Sequence, residues 1–301
     1  MITLAFGGDV HFAERTLALL NNPATAFGPV STILSAADLS MVNLETAVTD
    51  GGTPEPKQFH FRAPASAFTA VKAAGVDVVS LANNHTLDYG RTGLADTLRA
   101  AAEAGVPVVG AGDSAASAYA PWTTTVKGVR IAILGFSQIT ELASTWEALD
   151  DRSGIAMAIS FDRALAAIRA ARAAADVVVV FMHWGQEYRA CPIALQSSFA
   201  EQAAAAGATV IVGTHVHVMQ GATWVGSTYV AYGLSNFVWW YNDAASNDTG
   251  VIRVTLTGTA VTGTDFLPAS IDRTTGQPIP STGDEAARIS AAHAALPTTN
   301  C

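Results

Sequence analysis

Cysteine is scarce in this chain of 301 residues, which contains only Cys191 and Cys301. Two cysteines are too few for a four-thiolate zinc site or for the disulfide framework of a small secreted domain. A disulfide between the two is the alternative, but we expect free thiols.

Charged residues are also sparse, at 14% of the chain, and basic residues are outnumbered 16 to 25, which gives a net charge of −9. An acidic chain does not attract nucleic acid or an anionic membrane surface, so we expect neither as a partner. Half of the residues are hydrophobic, which is typical of a compact enzyme and excludes a disordered, solvating chain.

Long apolar runs are missing as well. The run from Val177 to Met182 is far shorter than the roughly 20 residues that span a bilayer. Met1 leads directly into the β-like run from Ile2 to Phe6, without the basic and apolar segments of a secretory signal. These features predict a cytoplasmic protein with no membrane partner.

Apolar β-like runs alternate with helical stretches along most of the chain, a pattern that predicts parallel βαβ units. The predicted strands are Ile2 to Phe6, Leu39 to Val42, Val76 to Ala82, Val106 to Val109, Val177 to Met182 and Ala208 to Val212. The predicted helices are Val30 to Ala36, Ala65 to Ala74, Thr92 to Ala104, Phe161 to Ala174, Ile193 to Ala206 and Glu285 to Leu296. Hairpin-like pairs are predicted at Trp122 to Phe136, Thr223 to Tyr232 and Val251 to Phe266. We therefore predict an α/β fold with two packed sheets, helices outside them, and one domain over residues 1–301.

Short polar motifs follow five of these apolar runs. They are Gly8-Asp9-Val10-His11, Asn43-Leu44-Glu45-Thr46, Asn83-Asn84-His85 with Asp88, His183-Trp184-Gly185, and Gly213-Thr214-His215-Val216-His217. Loops at strand ends are where α/β folds concentrate ligand and catalytic groups. For any one motif a satisfied, isolated polar group is the better interpretation. Five in series instead favour a centre in which carboxylate, amide and imidazole groups bind a cation.

The pair His215 and His217 is the strongest local signal, because two imidazoles directly after a buried strand are costly unless they are paired or bind metal. The predicted metal ligands are Asp9, Glu45, Asn84, His183, His215 and His217. Asp88 follows His85 by three residues and can orient its ring, so we predict these two as a catalytic acid/base pair. Asp9 with His11, or with His293, is the second predicted pair.

Other polar and aromatic residues near these motifs are predicted to contact substrate. Arg62 is expected to recognise a carboxylate, and the run from Trp239 to Tyr241 is expected to hold an apolar group. The predicted substrate-binding residues are Asn43, His60, Arg62, Glu187, Asn236, Trp239, Trp240 and His293.

Taken together, the motifs resemble those of the poly-γ-glutamate capsule-biosynthesis proteins of the CapA type, which have a calcineurin-like metallophosphoesterase fold. The resemblance covers nearly the whole chain and includes two further runs, Phe59 to Pro64 and Tyr232 to Phe237. It implies a four-layer αββα sandwich and one or two divalent ions per chain, from among Ca, Mn, Mg and Zn.

The resemblance also implies which residues bind the ions. One metal position would take Asp9, His11 and His217, and the other would take Asn84, His183 and His215, with His85 as the acid/base. The chain departs from the wider superfamily after the second strand, where Asn43-Leu44-Glu45 replaces a Gly-Asp motif that carries a bridging Asp. A bridging Glu45 has a longer side chain, which changes the spacing of two metals.

Three hypotheses about function follow, in this order of preference. The first is a metal-dependent peptide epimerase that exchanges a proton at Cα between two acid/base groups, as some soluble proteins similar to this family do. The second is hydrolysis of a phosphoester or amide bond by metal-activated water. The third is a non-catalytic capsule accessory protein that binds polyglutamate. The expected substrate is accordingly a peptide or polyglutamate.

Overall fold

The computed structural model describes residues 1–244 and 246–301. In chain order the strands are β1 (Ile2–Val10), β2 (Leu39–Leu44), β3 (Ala47–Val48), β4 (Arg62–Ala63), β5 (Val78–Ser80), β6 (Val108–Val109), β7 (Ala111–Gly112), β8 (Trp122–Val126), β9 (Val129–Ser137), β10 (Gly154–Ile155), β11 (Val177–His183), β12 (Val210–Thr214), β13 (Met219–Val225), β14 (Thr228–Leu234), β15 (Asn236–Val238), β16 (Asp248–Thr257), β17 (Ala260–Ile271) and β18 (Pro278–Pro280). The α-helices are α1 (Ser31–Ser35), α2 (Ser66–Ala73), α3 (Gly90–Ala104), α4 (Ala115–Ala118), α5 (Ala143–Trp146), α6 (Phe161–Ala174), α7 (Ala194–Ala206) and α8 (Gly283–Ala294). Three short 3₁₀ segments, Glu14–Asn21, Pro23–Thr25 and Gly28–Val30, precede α1.

Two large sheets form the centre of the molecule. One runs β18-β17-β16-β1-β2-β5-β6, with β15 also paired to β1, and the other runs β13-β14-β12-β11-β9-β8. The strands β1, β2, β5 and β6 are parallel, and so are β9, β11, β12 and β14. Antiparallel strands extend both sheets at their edges. The predicted βαβ units and hairpins are confirmed.

Three apolar cores define the layers. The middle core joins side chains of both sheets, for example Phe6 and Met41 with Val179 and Phe181. A second core packs α2 and α3 against the outer face of the first sheet, and a third packs α6 and α7 against the second. The expected four-layer sandwich is confirmed. Within residues 1–244 and 246–301, no helix has both the length and the apolar composition needed to cross a bilayer.

The strand predicted from Val76 to Ala82 is shorter in the structure, where β5 covers Val78–Ser80. The chain leaves the sheet at this point because Asn83 holds a tight turn. Its side-chain amide donates to the Leu44 carbonyl at 2.9 Å, and its oxygen accepts from the backbone N–H of His85 at 2.9 Å. Such side-chain to backbone bonds compete with strand pairing.

The expectation of two free thiols is wrong, because Cys191 and Cys301 form a disulfide with a Cα–Cα distance of 6.0 Å. After α8 the chain returns to the start of α7. There Ser197 donates a hydrogen bond to Asn300 at 2.7 Å, and Arg189 donates to the Cys301 carbonyl at 3.4 Å. A separation of 110 residues left no local sequence signal for this pairing.

Candidate metal centre

The polar motifs meet because the carboxyl ends of the parallel strands of both sheets lie at one edge of the sandwich. Asp9 lies near the end of β1, and its two oxygens link motifs from both sheets. Its Oδ1 accepts from the Asn43 amide at 2.7 Å, and its Oδ2 accepts from the backbone N–H of His215 at 3.0 Å. All of these groups are buried. The series of strand-end motifs is thus one cluster in space.

Glycines allow the backbones to approach closely at this edge. A methyl group on Gly8 would lie 2.0 Å from the Ser235 carbonyl oxygen, and one on Gly213 would lie 2.1 Å from both the Trp184 indole nitrogen and the Tyr232 carbonyl oxygen.

His215, with φ of 90°, adopts a left-handed backbone that L-residues avoid. Strain of this kind collects at functional sites, where the surrounding structure holds it in place.

Glu45 is at the centre of the cluster. Its carboxylate belongs to two groups of donor atoms that lie within 4.8 Å of one another, Asp9–Glu45–His183 and Glu45–His215–His217. Its Oε1 is fully buried, has no hydrogen-bond partner, and lies 3.6 Å from His183 Nε2. A buried carboxylate oxygen without a partner is costly, and a divalent cation would satisfy it. The donor set of carboxylates and imidazoles therefore fits such an ion, with Glu45 shared between the two groups.

Burial shifts the pKa values of these residues, and the shifts of the imidazoles suit metal binding. Burial raises the pKa of Asp9 to about 6. Burial, and then the charge of Asp9, raises the pKa of Glu45 well above its ordinary value. Burial and the neighbouring imidazoles hold the pKa of His183 and of His215 well below the ordinary value. The imidazoles are therefore neutral, which is the form that binds metal.

Asparagine side chains connect the donor groups. Asn84 Oδ1 lies 2.7 Å from His183 Nε2, which places it beside the centre. Asn236 Oδ1 lies 2.8 Å from His217 Nδ1, and Asn43 contacts Asp9 as described. Asn43 and Asn236, both predicted to contact substrate, are fully buried behind the donor groups, where they fix ring and carboxylate orientations.

His85 lies beside this cluster and is oriented by Asp88, whose Oδ2 lies 2.7 Å from His85 Nδ1. The other ring nitrogen, Nε2, lies 3.9 Å from Glu45 Oε1. Burial lowers the pKa of His85, and the charge of Asp88 opposes this shift. The structure thus brings the predicted acid/base pair together at the edge of the donor groups.

Lys57 also belongs to the site, although no sequence motif predicts it. Its side chain is only 2% exposed; Nζ lies 2.9 Å from Asp88 Oδ1 and donates to the Asn84 carbonyl. It also lies over the Trp146 ring, 5.1 Å from its centroid. A lone lysine in a loop rich in Gly and Pro carries no sequence signal that separates it from a solvated one.

His11 and His293 have other surroundings. The ring nitrogens of His11 lie 3.2 Å from the backbone nitrogens of Ala13 and Trp240, so its polar atoms face the backbone. His293 stacks on Phe266, with ring centroids 4.0 Å apart. Neither belongs to the groups of donor atoms found among the described residues.

The side chains from Phe59 to Arg62 lie alternately on two sides of the segment that leads into β4. Phe59 and Phe61 line a cleft above the donor groups. The predicted contacts His60 and Arg62 point the other way. His60 bonds to the Glu55 carbonyl at 2.6 Å, and Arg62 lies over the Tyr89 ring at 4.5 Å. The structure therefore does not bring His60 and Arg62 to the cleft.

The cleft has a volume of about 510 Å³ and opens directly over His85 and His217. Its walls combine aromatic rings with two carboxylates. The lining residues are Phe59, Phe61, His85, Glu187, Tyr188, His217, Trp239, Trp240, Tyr241 and Asp243. The predicted contacts Glu187, Trp239 and Trp240 are thus on the cleft wall. Of the candidate metal ligands, His217 lies on the cleft wall, so a ligand in the cleft would lie beside the candidate metal centre.

Comparison with known proteins identifies the family of this chain. The model of the family described as Bacterial capsule synthesis protein PGA_cap matches residues 3–241. The capsule biosynthesis protein CapA of Bacillus anthracis is 31% identical over 94% of this chain and 71% of its own length. The PGA biosynthesis protein CapA of Bacillus subtilis is 31% identical over 93% and 74%. The expected resemblance to CapA-type proteins is confirmed.

Solved structures agree on the fold. The Haemophilus influenzae NAD nucleotidase covers 97% of this chain and 55% of its own with a TM-score of 0.51 and 13% identity. The Thermus thermophilus sulfate thiohydrolase SoxB covers 97% and 57% with a TM-score of 0.53 and 16% identity. At these identities the similarity shows the calcineurin-like fold alone.

The preferred hypothesis of a peptide epimerase is wrong. The relatives that share about a third of their residues with this chain are named as capsule or PGA biosynthesis proteins, not as epimerases. An excess of His and Asp groups suggested two-base chemistry, but His11 and His293 are engaged elsewhere. The third hypothesis, which ranked last, agrees best with these relatives.

Proposed function

We propose a function for this chain, which belongs to the Bacterial capsule synthesis protein PGA_cap family. The protein is an accessory protein of polyglutamate synthesis that binds the polymer at a divalent metal centre. The observation that carries this proposal is Glu45 Oε1, a fully buried carboxylate oxygen without a hydrogen-bond partner. It lies 3.9 Å from Nε2 of His85, one of the residues that line an open cleft.

The charge of the protein explains why such a centre would be needed. The chain carries a net charge of −9, so it repels a polymer with one carboxylate per residue. A divalent cation held by the centre supplies the positive charge that attracts such carboxylates. The residues that would hold it are Asp9, Glu45, Asn84, His183, His215 and His217. Three imidazoles among the donors favour Zn over Ca, Mg and Mn, which prefer oxygen ligands.

The test measures metal content and polymer binding on the same samples. Elemental analysis is combined with calorimetric titration of an oligo-γ-glutamate into metal-loaded and chelated protein. We expect chelation, Glu45→Gln and the double variant His215→Ala, His217→Ala to lower both quantities. The control Glu201→Gln, on the exposed side of α7, should leave both unchanged. Metal-loaded protein that fails to bind the oligomer, or binding that survives chelation, would overturn the proposal.

A second candidate function is hydrolysis of an amide or phosphoester bond, and the geometry of His85 favours it. Asp88 at 2.7 Å selects the tautomer with a proton on Nδ1, which leaves Nε2 free to accept a proton on the side of Glu45. If this function is present, incubation with the oligomer or with a phosphoester releases shorter products or phosphate. His85→Ala should then stop the release and keep the metal content, whereas intact substrate in every sample excludes this candidate.

A further inference from the structure

The cleft above the centre is unusual in the charge of its walls. Six aromatic side chains line it, together with the carboxylates of Glu187 and Asp243. Among the described residues, neither lysine nor arginine lines it. A wall of this composition is unsuited to a row of carboxylates, because it offers them no positive partner. It suits a group that is cationic or apolar.

Glu187 places negative charge close to the centre. Its Oε1 lies 3.9 Å from Nε2 of His217, which is itself a candidate ligand. The side chain is 53% exposed, so it is partly buried beside the centre. A cation beside Glu187 would therefore pair with its carboxylate in a partly desolvated place.

Aromatic rings complete this part of the cleft. The rings of Trp240 and Tyr241 meet with centroids 5.4 Å apart and an interplanar angle of 57°, so they form a corner. The ring of Tyr188 lies 6.0 Å from that of His217, on the side of Glu187. Aromatic faces next to a carboxylate are the usual surroundings of a bound ammonium group. Three aromatic side chains and one carboxylate thus provide a recognition site for a cation.

From this arrangement we infer that the cleft binds the free amino end of the polymer. This inference rests on the proposed function and narrows it. An internal residue of polyglutamate presents only a carboxylate and amides, which the acidic wall does not favour. The first residue carries an ammonium and a carboxyl or carbonyl group on one α-carbon. Its oxygens would face the cation that the candidate ligands would hold, while its ammonium faces Glu187 and the aromatic corner.

The deciding experiment compares two ligands on the metal-loaded wild-type protein. One is an oligo-γ-glutamate with a free amino end, and the other is the same oligomer acetylated at that end. We expect acetylation to weaken binding about tenfold or more, because it removes the cation that pairs with the aromatic and acidic wall. Calorimetric titration gives both dissociation constants.

Glu187→Gln supplies the matched variant and Glu201→Gln the control. Glu187→Gln should bring the ratio between the two ligands close to one, and Glu201→Gln should keep the wild-type ratio. If the wild-type protein binds both ligands equally, or prefers the acetylated one, this inference is overturned while the proposed function stands. If it binds neither ligand, the proposed function fails and the inference fails with it.

Discussion

Replacing Glu45 by Gln should change metal binding and metal-free stability in opposite directions. The substitution keeps the shape of the side chain and removes its charge. In the presence of metal the variant loses the carboxylate that the two groups of donor atoms share. Its metal affinity should therefore fall by more than the roughly 10- to 100-fold that the loss of an outer-shell partner costs. After chelation the same variant should be more stable than the wild type.

The size of the stabilisation follows from the surroundings of Oε1. This oxygen is fully buried without a hydrogen bond, and an unsatisfied buried polar atom costs about 1–3 kcal/mol. A neutral Gln amide removes the buried charge and its repulsion from Asp9. We therefore expect the free energy of unfolding of the chelated variant to rise by about 1–3 kcal/mol at pH 8.

The pH dependence gives a second check on the sign of the stability change caused by Glu45→Gln. Burial raises the pKa of Glu45 in the folded, metal-free protein, whereas the unfolded chain titrates near 4.5. As the pH rises above that value, the unfolded state releases its proton first, so the wild type loses stability. Gln does not titrate. The stability difference in favour of the variant should therefore be small near pH 4.5 and should grow toward pH 8. The other buried groups are present in both proteins, so they do not account for this difference.

Urea unfolding of both chelated proteins at pH 5 and pH 8 measures this difference. Asp50→Asn, at an exposed position, is the control and should show no such gap. The explanation would be refuted if Glu45→Gln were less stable than the wild type after chelation at pH 8. A gap that does not depend on pH would equally refute the role of the buried charge.

Three further changes test other parts of the structure. Lys57→Met should lower the free energy of unfolding by about 3–5 kcal/mol, because it leaves the buried Asp88 carboxylate without its ion pair. Lys57→Arg keeps the positive charge and should lower it by less. If urea unfolding shows the same decrease for both variants, this explanation is contradicted. Gly213→Ala should cost at least about 1–3 kcal/mol, since its methyl group would lie 2.1 Å from the Tyr232 carbonyl oxygen, and an unchanged melting temperature would contradict the close approach. Cys191→Ser should lower the free energy of unfolding by about 2–4 kcal/mol relative to the oxidised wild type. The reduced wild type should have the same stability as the variant. If reductant does not change the stability of the wild type, the disulfide contributes nothing.

The sequence by itself determined the layers of the fold and the position of the motifs. Apolar runs such as Val177 to Met182 are buried on both faces of a parallel sheet, and their composition shows this locally. Polar motifs directly after such runs necessarily lie at the carboxyl edge of the sheet. The grouping of Asp9, Glu45 and His183 therefore follows from the order of apolar runs and polar motifs along the chain.

Tertiary structure decided which of the neighbouring side chains face the cleft. Phe59 and Phe61 face it, whereas His60 and Arg62 face away, because alternation fixes two sides but long-range packing decides which side is which. His11 shows the same limit, since it follows Asp9 by two residues and yet directs its nitrogens to the backbone.

The pairings between distant segments were equally outside the reach of the sequence. Lys57 meets Asp88, and Cys191 meets Cys301, across 31 and 110 residues that carry no local pattern linking them. Periodicity and turn chemistry act over a few residues, so they determine strands, helices and the ends where motifs lie. The partner of a buried charge or thiol depends on how whole layers pack, which only the folded chain specifies.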